Sequence, residues 1–371
     1  MKRDKKLKVF VDCHVFDEGF QGTRTYIEGV YKELIKDTTR QFYLAAGNID
    51  NLASIFGQHS NVVYIKYRIH NKIFRLLGYL PWLIVKHGID VAHFQYRVPP
   101  LKFCKYMVTT HDVLFEDFPE YFPKIGRKVS YYTYKISAKL ADVVFTVSPY
   151  SRKAIVQHLG IKEARVTPNG IDTIFFEKYD KVVMVQLAAE KFKINNYLLY
   201  ISRWEPRKNQ HMILKAFNEL KLYESYNLVF AGETTFKNPE YDAYYAALPH
   251  TVKQKVVRLG RINFADMLMV LRGARLFVYP SIAEGFGIPP LEALAAGVPT
   301  ISSNATAMED YIHFMGQWQF DPQNYTEFKD VLLKALNNPE QMDISGIKNE
   351  IKTRYSWNIA ARVISGYLNT V

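Results

Sequence analysis

At 371 residues the chain exceeds the length at which one hydrophobic core usually stops growing, so two domains are expected. Hydrophobic residues make up 48% and charged residues 23%, an ordinary globular balance that argues against disorder. Lys and Arg number 48 against 36 Asp and Glu, and the net charge of +12 favours an anionic partner: a phosphate-bearing substrate, an acidic lipid surface or nucleic acid.

The chain opens MKRDKKLKVFVDC, passing from charge straight into a short strand pattern with no secretory signal. KVFVDC (8–13) reads as a buried strand, followed by the loop HVFDEGFQG and a helix from Thr23. FYLAAG, NVVYIK, DVAHFQ, KYMVTT and DVVFTV are further strand candidates, with helical periodicity near 70–87, 124–140 and 149–159. Cys13 and Cys104 sit in apolar strand-like runs and read as buried, inert thiols of a reducing compartment. The longest uncharged apolar run, LLGYLPWLIV at 76–85, is too short to span a bilayer. A cytoplasmic protein, soluble or at most held at the inner face of the plasma membrane, is expected.

The alternation implies a parallel sheet covered by helices on both faces. It breaks at PNGIDTIFFEKYDK (168–181) and restarts at YLLYIS (197–202), after which NLVFAG, KVVRLG, ARLFVYP and VPTISS follow as strands. The fold class is therefore α/β, with a first doubly wound domain over 1–180 and a second over 181–356. A last helix, WNIAARVISGYL from Trp357, lies beyond the final strand. Ligands of such sheets bind at the loops leaving the carboxyl ends of strands, and two of these loops carry motifs.

In SIAEGFGIPPLEALAAGVP (281–299) a strand, a glycine-rich loop and an Ala/Leu-rich helix succeed one another. Proline suits the first helical turn, and the glycines allow close backbone approach. The N–H groups of Phe286, Gly287 and Ile288 would converge at the helix start as an anion site. Glu284 in the loop and Glu292, placed within the first turn, are acceptor-only groups suited to hydroxyls. Taken alone, the stretch reads equally as a βα turn whose glutamates favour the helix dipole. In ISRWEPRKNQHMILKAF (201–217) a strand ends at Ser202 and a helix is expected near Pro206, bracketed by Arg203 and Lys208. Two cations there suit a departing pyrophosphate.

RWEPRKNQ together with EGFGIPPLEALAAGVP closely resembles the retaining glycosyltransferases of family 4. VTTHDVLFEDFPEYFP (108–123), ADVVFTVSPYSRKAI (141–155), VTPNGID (166–172) and the last helix match the same family in order, so the resemblance spans essentially the whole chain. It is strongest towards bacterial mannosyl- and related transferases of surface-polysaccharide assembly. The resemblance implies the GT-B fold: two Rossmann-like domains facing across a cleft, with the last helix (about 357–371) returning to the first. It implies transfer of a hexose from a nucleoside-diphosphate sugar, of the GDP-mannose or UDP-glucose type, to a hydroxyl of a glycan or lipid-linked saccharide. Arg203 and Lys208 would bind the donor diphosphate as leaving group, Glu284 the sugar hydroxyls, and Glu292 the ribose. Phe286, Gly287 and Ile288 would offer backbone N–H groups. His111 would face the donor sugar from the first domain, and the loop EGFQGT (18–23) would close on the diphosphate through Gly22. That loop departs from the commoner Gly-Gly form.

From the residues alone, His111 reads as readily as a turn cap, and His93 in VAHFQY competes with it. No Asp-x-Asp occurs and no His, Cys and Asp cluster has metal-ligand spacing, so neither a cofactor nor a required metal is expected. The basic aromatic segments 66–86 and 124–139 read either as a surface for anionic lipid or, in the commoner arrangement, as amphipathic helices with solvated lysines. Two alternatives are carried: a nucleotide-sugar epimerase or hydrolase, for which no convincing acid/base set is visible, and a basic nucleic-acid-binding protein, for which no module is recognisable.

Overall fold

The structure, a computed structural model, describes residues 6–17, 22–234 and 236–371. The chain divides into two compact units, one of Met1–Gly170 with Tyr355–Val371 and one of Ile171–Arg354.

In the first unit β1 (Leu7–Asp12), β2 (Arg40–Ala46), β3 (Val62–Lys66), β4 (Val91–Gln95), β5 (Lys105–Thr109), β6 (Val143–Thr146) and β7 (Arg165–Val166) form one sheet in the order β3-β2-β1-β4-β5-β6-β7. Every pairing is parallel. The order reverses between β1 and β4, the switch point at which an open sheet leaves its loops splayed. A core under one sheet face gathers Phe94, Tyr106 and Val108 with Leu80, Leu83 and Ile84 of one helix and Ala138 of another. The helices Leu80–His87 and Lys124–Leu140 therefore cover the same face.

The last helix, Trp357–Leu368, belongs to this unit because of two glycines. A Cβ at Gly29 would lie 2.1 Å from the Trp357 indole, and one at Gly170 would lie 2.4 Å from the Trp357 nitrogen. Only glycine admits the indole there. The Arg40 guanidinium adds a hydrogen bond to Ser365 Oγ at 2.9 Å.

The helix expected over 70–87 is interrupted: Lys72–Phe74 runs into a π turn at Arg75–Tyr79 before Leu80–His87. Pro81 explains the break, since it lacks an N–H and its ring crowds the carbonyl four residues back, which a wider turn relieves. β7 and the last strand of the second unit have two residues each, too short to show a period in sequence.

The second unit repeats the plan with β8 (Tyr197–Ile201), β9 (Asn227–Ala231), β10 (Val256–Gly260), β11 (Leu276–Tyr279), β12 (Thr300–Ser303) and β13 (Gln319–Phe320) in the order β10-β9-β8-β11-β12-β13. Its switch point lies between β8 and β11. The unit begins at Ile171, before the residue 180 read from the sequence. The segment after Gly170 already packs here: Phe175 is buried 6.1 Å from the Phe264 ring, and Arg272 donates to the Ile174 carbonyl at 2.7 Å. Cys13 and Cys104 are both free thiols. Among the described residues no helix is long and apolar enough to cross a membrane.

Candidate active site

The site of the second unit is built on the loops leaving the adjacent strands β8 and β11. After β8 the chain does not enter an α-helix at Pro206, as the sequence suggested. A 3-10 turn, Pro206–Lys208, comes first, then Asn209 in a left-handed conformation (φ 57°), and the helix starts at Gln210. The extra turn carries Lys208 inward. Its ammonium lies 2.5 Å from Glu284 Oε1 and 3.2 Å from the Tyr279 hydroxyl, which itself donates to Glu284 Oε1 at 2.8 Å. Arg207 Nη1 stands 3.4 Å from Glu284 Oε2 and donates to the Ala283 carbonyl at 2.5 Å, while Nη2 pairs with Glu205 Oε2 at 2.7 Å. Arg203 joins at the rim, half exposed, 3.3 Å from Glu205 Oε1.

Lys208, Glu205 and Glu284 are buried, and burial by itself disfavours every charge among them. For Glu284 burial pushes the carboxyl up, but Lys208 and Arg207 outweigh it and hold the group at about 2. Glu284 is an anion at any pH near neutrality. Burial, reinforced by Arg207, draws the Lys208 ammonium below the usual lysine range, against the pull of Glu284.

Backbone contacts fix the loop around Glu284. Its N–H donates to Thr306 Oγ1 at 2.9 Å, and Thr306 holds a φ of 56°, a conformation a β-branched residue rarely adopts. The Tyr311 hydroxyl lies 2.5 Å from the Phe286 carbonyl and 3.1 Å from that of Gly287, so both carbonyls turn back into the protein. Gly287 caps the helix Ile288–Ala295 with φ 89°, and a Cβ there would meet Met308 Cγ at 2.8 Å. Pro289 and Pro290 remove two of the N–H groups that a helix start normally offers. The donors of this helix start are thereby confined to Gly287 and Ile288, since the Leu291 N–H closes the first helical turn.

Glu292 is the fifth residue of that helix, hence past the first turn in which the sequence reading put it. It is partly buried, and burial together with the Asp172 carboxylate pushes its carboxyl up to about 8.

In the first unit His111 follows β5, buried, with Nε2 2.7 Å from Gln95 Oε1 and its ring edge-on to Tyr26 at 5.0 Å. An amide oxygen only accepts, so Nε2 carries the proton and Nδ1 is the acceptor. Burial lowers the imidazole to about 3, so His111 is neutral. Gln95 Nε2 is itself buried without a hydrogen-bond partner. His93 is settled differently: Tyr31 OH at 2.7 Å and Thr109 Oγ1 at 2.8 Å occupy both ring nitrogens in the middle of the sheet. It is a core histidine. Gly22 is the exposed first residue of the helix Gly22–Leu34, and residues 18–21 of the loop expected to close on phosphate lie outside the described residues.

Thus the second unit joins Arg203, Lys208 and Glu284 in one network and sets Phe286, Gly287, Ile288 and Glu292 along the adjoining turn and helix. Sequence reasoning passed over Glu205, Arg207, Tyr279 and Thr306. Arg207 was legible as a second cation beside Lys208; Thr306 left no signal because it reaches Glu284 from beyond the next strand, and Tyr279 read as one more apolar residue ending β11. It also passed over Asp12 at the end of β1, where burial is outweighed by His14, Arg75 and the Tyr67 hydroxyl (2.8 Å), holding the carboxyl near 2. Among the described residues no three His, Cys, Asp or Glu side chains cluster closely enough to hold a metal ion.

The chain matches the Glycosyltransferase Family 4 model over residues 21–175 and the model of Glycosyl transferases group 1 over residues 187–350. It is 27% identical over 289 residues to O-antigen chain mannosyltransferase B of Escherichia coli, covering 75% of each chain. It is 26% identical over 300 residues to O-antigen chain mannosyltransferase RfbU of Salmonella typhimurium, covering 78% of each. Among solved structures, HepE of Anabaena in complex with UDP superposes with a TM-score of 0.73 at 16% identity, covering 98% of this chain and all of that one. Sucrose-phosphate synthase from Thermosynechococcus elongatus does so with 0.75 at 15% identity, over 99% of each. At such identities the likeness is one of fold. Two doubly wound units, matched in chain order by the two halves of one transferase class, place this protein in glycosyltransferase family 4, with the GT-B fold.

Proposed function

We propose that the protein is a retaining, metal-independent hexosyltransferase. It moves a hexose from a nucleoside-diphosphate sugar to a hydroxyl of a glycan or lipid-linked saccharide in surface-polysaccharide synthesis. It works in the cytoplasm, in peripheral contact with the anionic inner face of the membrane. The names of the two O-antigen mannosyltransferases support mannose as the sugar and GDP-mannose as the donor, with UDP-glucose the competing type. The observation that carries the reading is the Lys208–Glu284 pair buried where β8 and β11 end.

In this reading Arg203 and Lys208 neutralise the diphosphate as it leaves, fixed cations doing there what a divalent ion does elsewhere. The Gly287 and Ile288 N–H groups add a small positive field. Glu284, kept ionised, accepts hydroxyls of the sugar, while Glu292 accepts those of the ribose. Being neutral, His111 serves as a hydrogen-bonding group to the donor sugar rather than as a proton donor. Attack by the acceptor on the face the diphosphate leaves, with a departing phosphate oxygen taking the acceptor proton, gives retention and balances the proton.

Incubation with GDP-mannose and UDP-glucose, with and without saccharide acceptors, tests this. Acceptor-dependent nucleotide release, a product with the donor's anomeric configuration by NMR, and full activity in a chelator are expected. Acceptor-free isomerisation or hydrolysis, or activity lost to the chelator and restored by magnesium, overturns the corresponding part. Tight duplex binding without nucleotide turnover overturns all of it.

A further inference from the structure

Two helical segments of the first unit show their apolar residues to solvent. On the helix Lys124–Leu140, Ile125, Val129, Tyr132 and Ile136 are exposed, Ile125 to 82%. Their spacing of four, three and four residues puts them within about 60° of arc on a helix of 3.6 residues per turn. The opposite side of the same helix already packs on the sheet through Ser137 and Ala138, so this stripe is additional to the core face. On the preceding segment Ile73, Phe74, Leu77, Trp82 and Val85 are exposed, Phe74 to 67%. Leu80, Leu83, Ile84 and Ala138 meet in one core, so the two helices share a sheet face and turn their outer sides away from it.

The charge around these stripes has one sign. Segments 66–87 and 124–140 contain five Lys or Arg each and no Asp or Glu. Lys124, Lys128 and Lys139 are exposed along one flank of the second stripe, and Lys86 lies 4.6 Å from the centre of the Trp82 ring. A second copy of this chain is matched by apolar area alone and meets repulsion between these cations. An anionic bilayer surface meets both features, taking the apolar side chains into its interface and the ammonium groups at the headgroups.

We propose that the outward faces of residues 72–87 and of the Lys124–Leu140 helix form a docking surface for anionic lipid. It gives the membrane contact proposed above its residues. It rests on that reading only for where a lipid-linked acceptor would lie, since its own chemistry is independent of sugar transfer.

Trp82 supplies the probe. It is half exposed, whereas Trp204, Trp318 and Trp357, the other three of four tryptophans, are buried. The full chain is mixed, without nucleotide, with phosphatidylglycerol-containing vesicles and with pure phosphatidylcholine vesicles. Co-sedimentation and a blue shift of tryptophan emission are expected with the anionic vesicles only, weakening several-fold as salt screens the attraction. The Trp82→Phe variant should still sediment but lose the shift. Ile125→Ser/Val129→Ser/Ile136→Ser should bind about tenfold or more weakly while melting as the wild type does. Lys128→Glu/Lys139→Glu should weaken binding independently. Equal binding to neutral vesicles, binding unchanged in both variants, or a lipid-free dimer that buries Trp82 overturns the proposal. Because no donor is present, these outcomes are separate from the fate of the transferase reading.

Discussion

The network around Glu284 in the second unit and the histidines of the first unit handle buried polarity in opposite ways. In the second unit Lys208, Arg207, Glu205 and Glu284 keep full charges inside the protein and satisfy them against one another. In the first, neutral hydrogen bonds pair His111 with Gln95 and His93 with Tyr31, and burial keeps both imidazoles unprotonated. The charged network suits a partner whose charge changes, such as a departing diphosphate. The neutral one suits hydroxyls. The first should therefore respond strongly to pH and to charge removal, and the second hardly at all.

The largest effect is expected at Glu284. Glu284→Gln leaves Lys208 buried without its paired carboxylate and Arg207 with Glu205 alone, destabilising the protein by about 3–5 kcal/mol in a urea melt and reducing transfer to background. The pH dependence has a definite sign. The carboxyl is depressed from 4.5 to about 2, so its stabilisation is complete above pH 4.5 and disappears as pH falls towards 2. The wild type should lose about 3 kcal/mol more across that window than Glu284→Gln, in which only carboxylates such as Asp12 still titrate. Equal acid sensitivity in both would remove the charged side of the contrast.

Glu292 comes next, and here the sign is reversed. Its carboxyl is raised from 4.5 to about 8, so the free protein loses stability as pH rises from 4.5 to 8. If the ionised form holds the ribose, nucleotide affinity measured by calorimetry climbs over pH 6 to 8, by up to about tenfold per unit. Glu292→Gln should flatten that slope. A steep slope surviving in the variant would assign it to another group.

Arg203 and Arg207 separate grip from scaffold. Arg203 is half exposed, so Arg203→Ala should weaken diphosphate affinity about tenfold with a stability change under about 1 kcal/mol. Arg207, enclosed between Glu205 and Glu284, should show the reverse order, with stability falling first. The smallest effect is expected for Gln95→Leu. It removes one neutral hydrogen bond worth about 1 kcal/mol and releases the restraint on the His111 tautomer. Transfer should slow while the shape of its pH profile between 6 and 8 stays that of the wild type.

Much of this was legible along the chain. The helices at 124–140 and 149–159 have the bounds their periodicity announced, and the second also carries a local signal at each end, an N-capping Ser148 and a left-handed Gly160. The glycine-proline turn and the R-W-E-P-R-K stretch marked two loops whose side chains meet at Glu284. Less legible was the turn at Pro206, where proline signals a helix start yet only a 3-10 turn forms, since Asn209 adopts a left-handed conformation. The two histidines were indistinguishable in sequence, each at the end of an apolar run. Their difference lies in partners 16 and 62 positions away, Gln95 for one and Tyr31 for the other.

The sequence by itself determined the alternation of strands and helices, the loops that hold the cations and glutamates, and the sign of the protein's charge, because these depend on neighbours within a few residues. Only the tertiary structure decided that Lys208 meets Glu284, 76 positions on, since that pairing depends on β8 lying beside β11 in the sheet. It also decided that Ile125, Val129 and Ile136 face solvent. A helix with apolar residues on two sides does not announce which one the core will take. Competition among all the packed elements for the same buried space settles it.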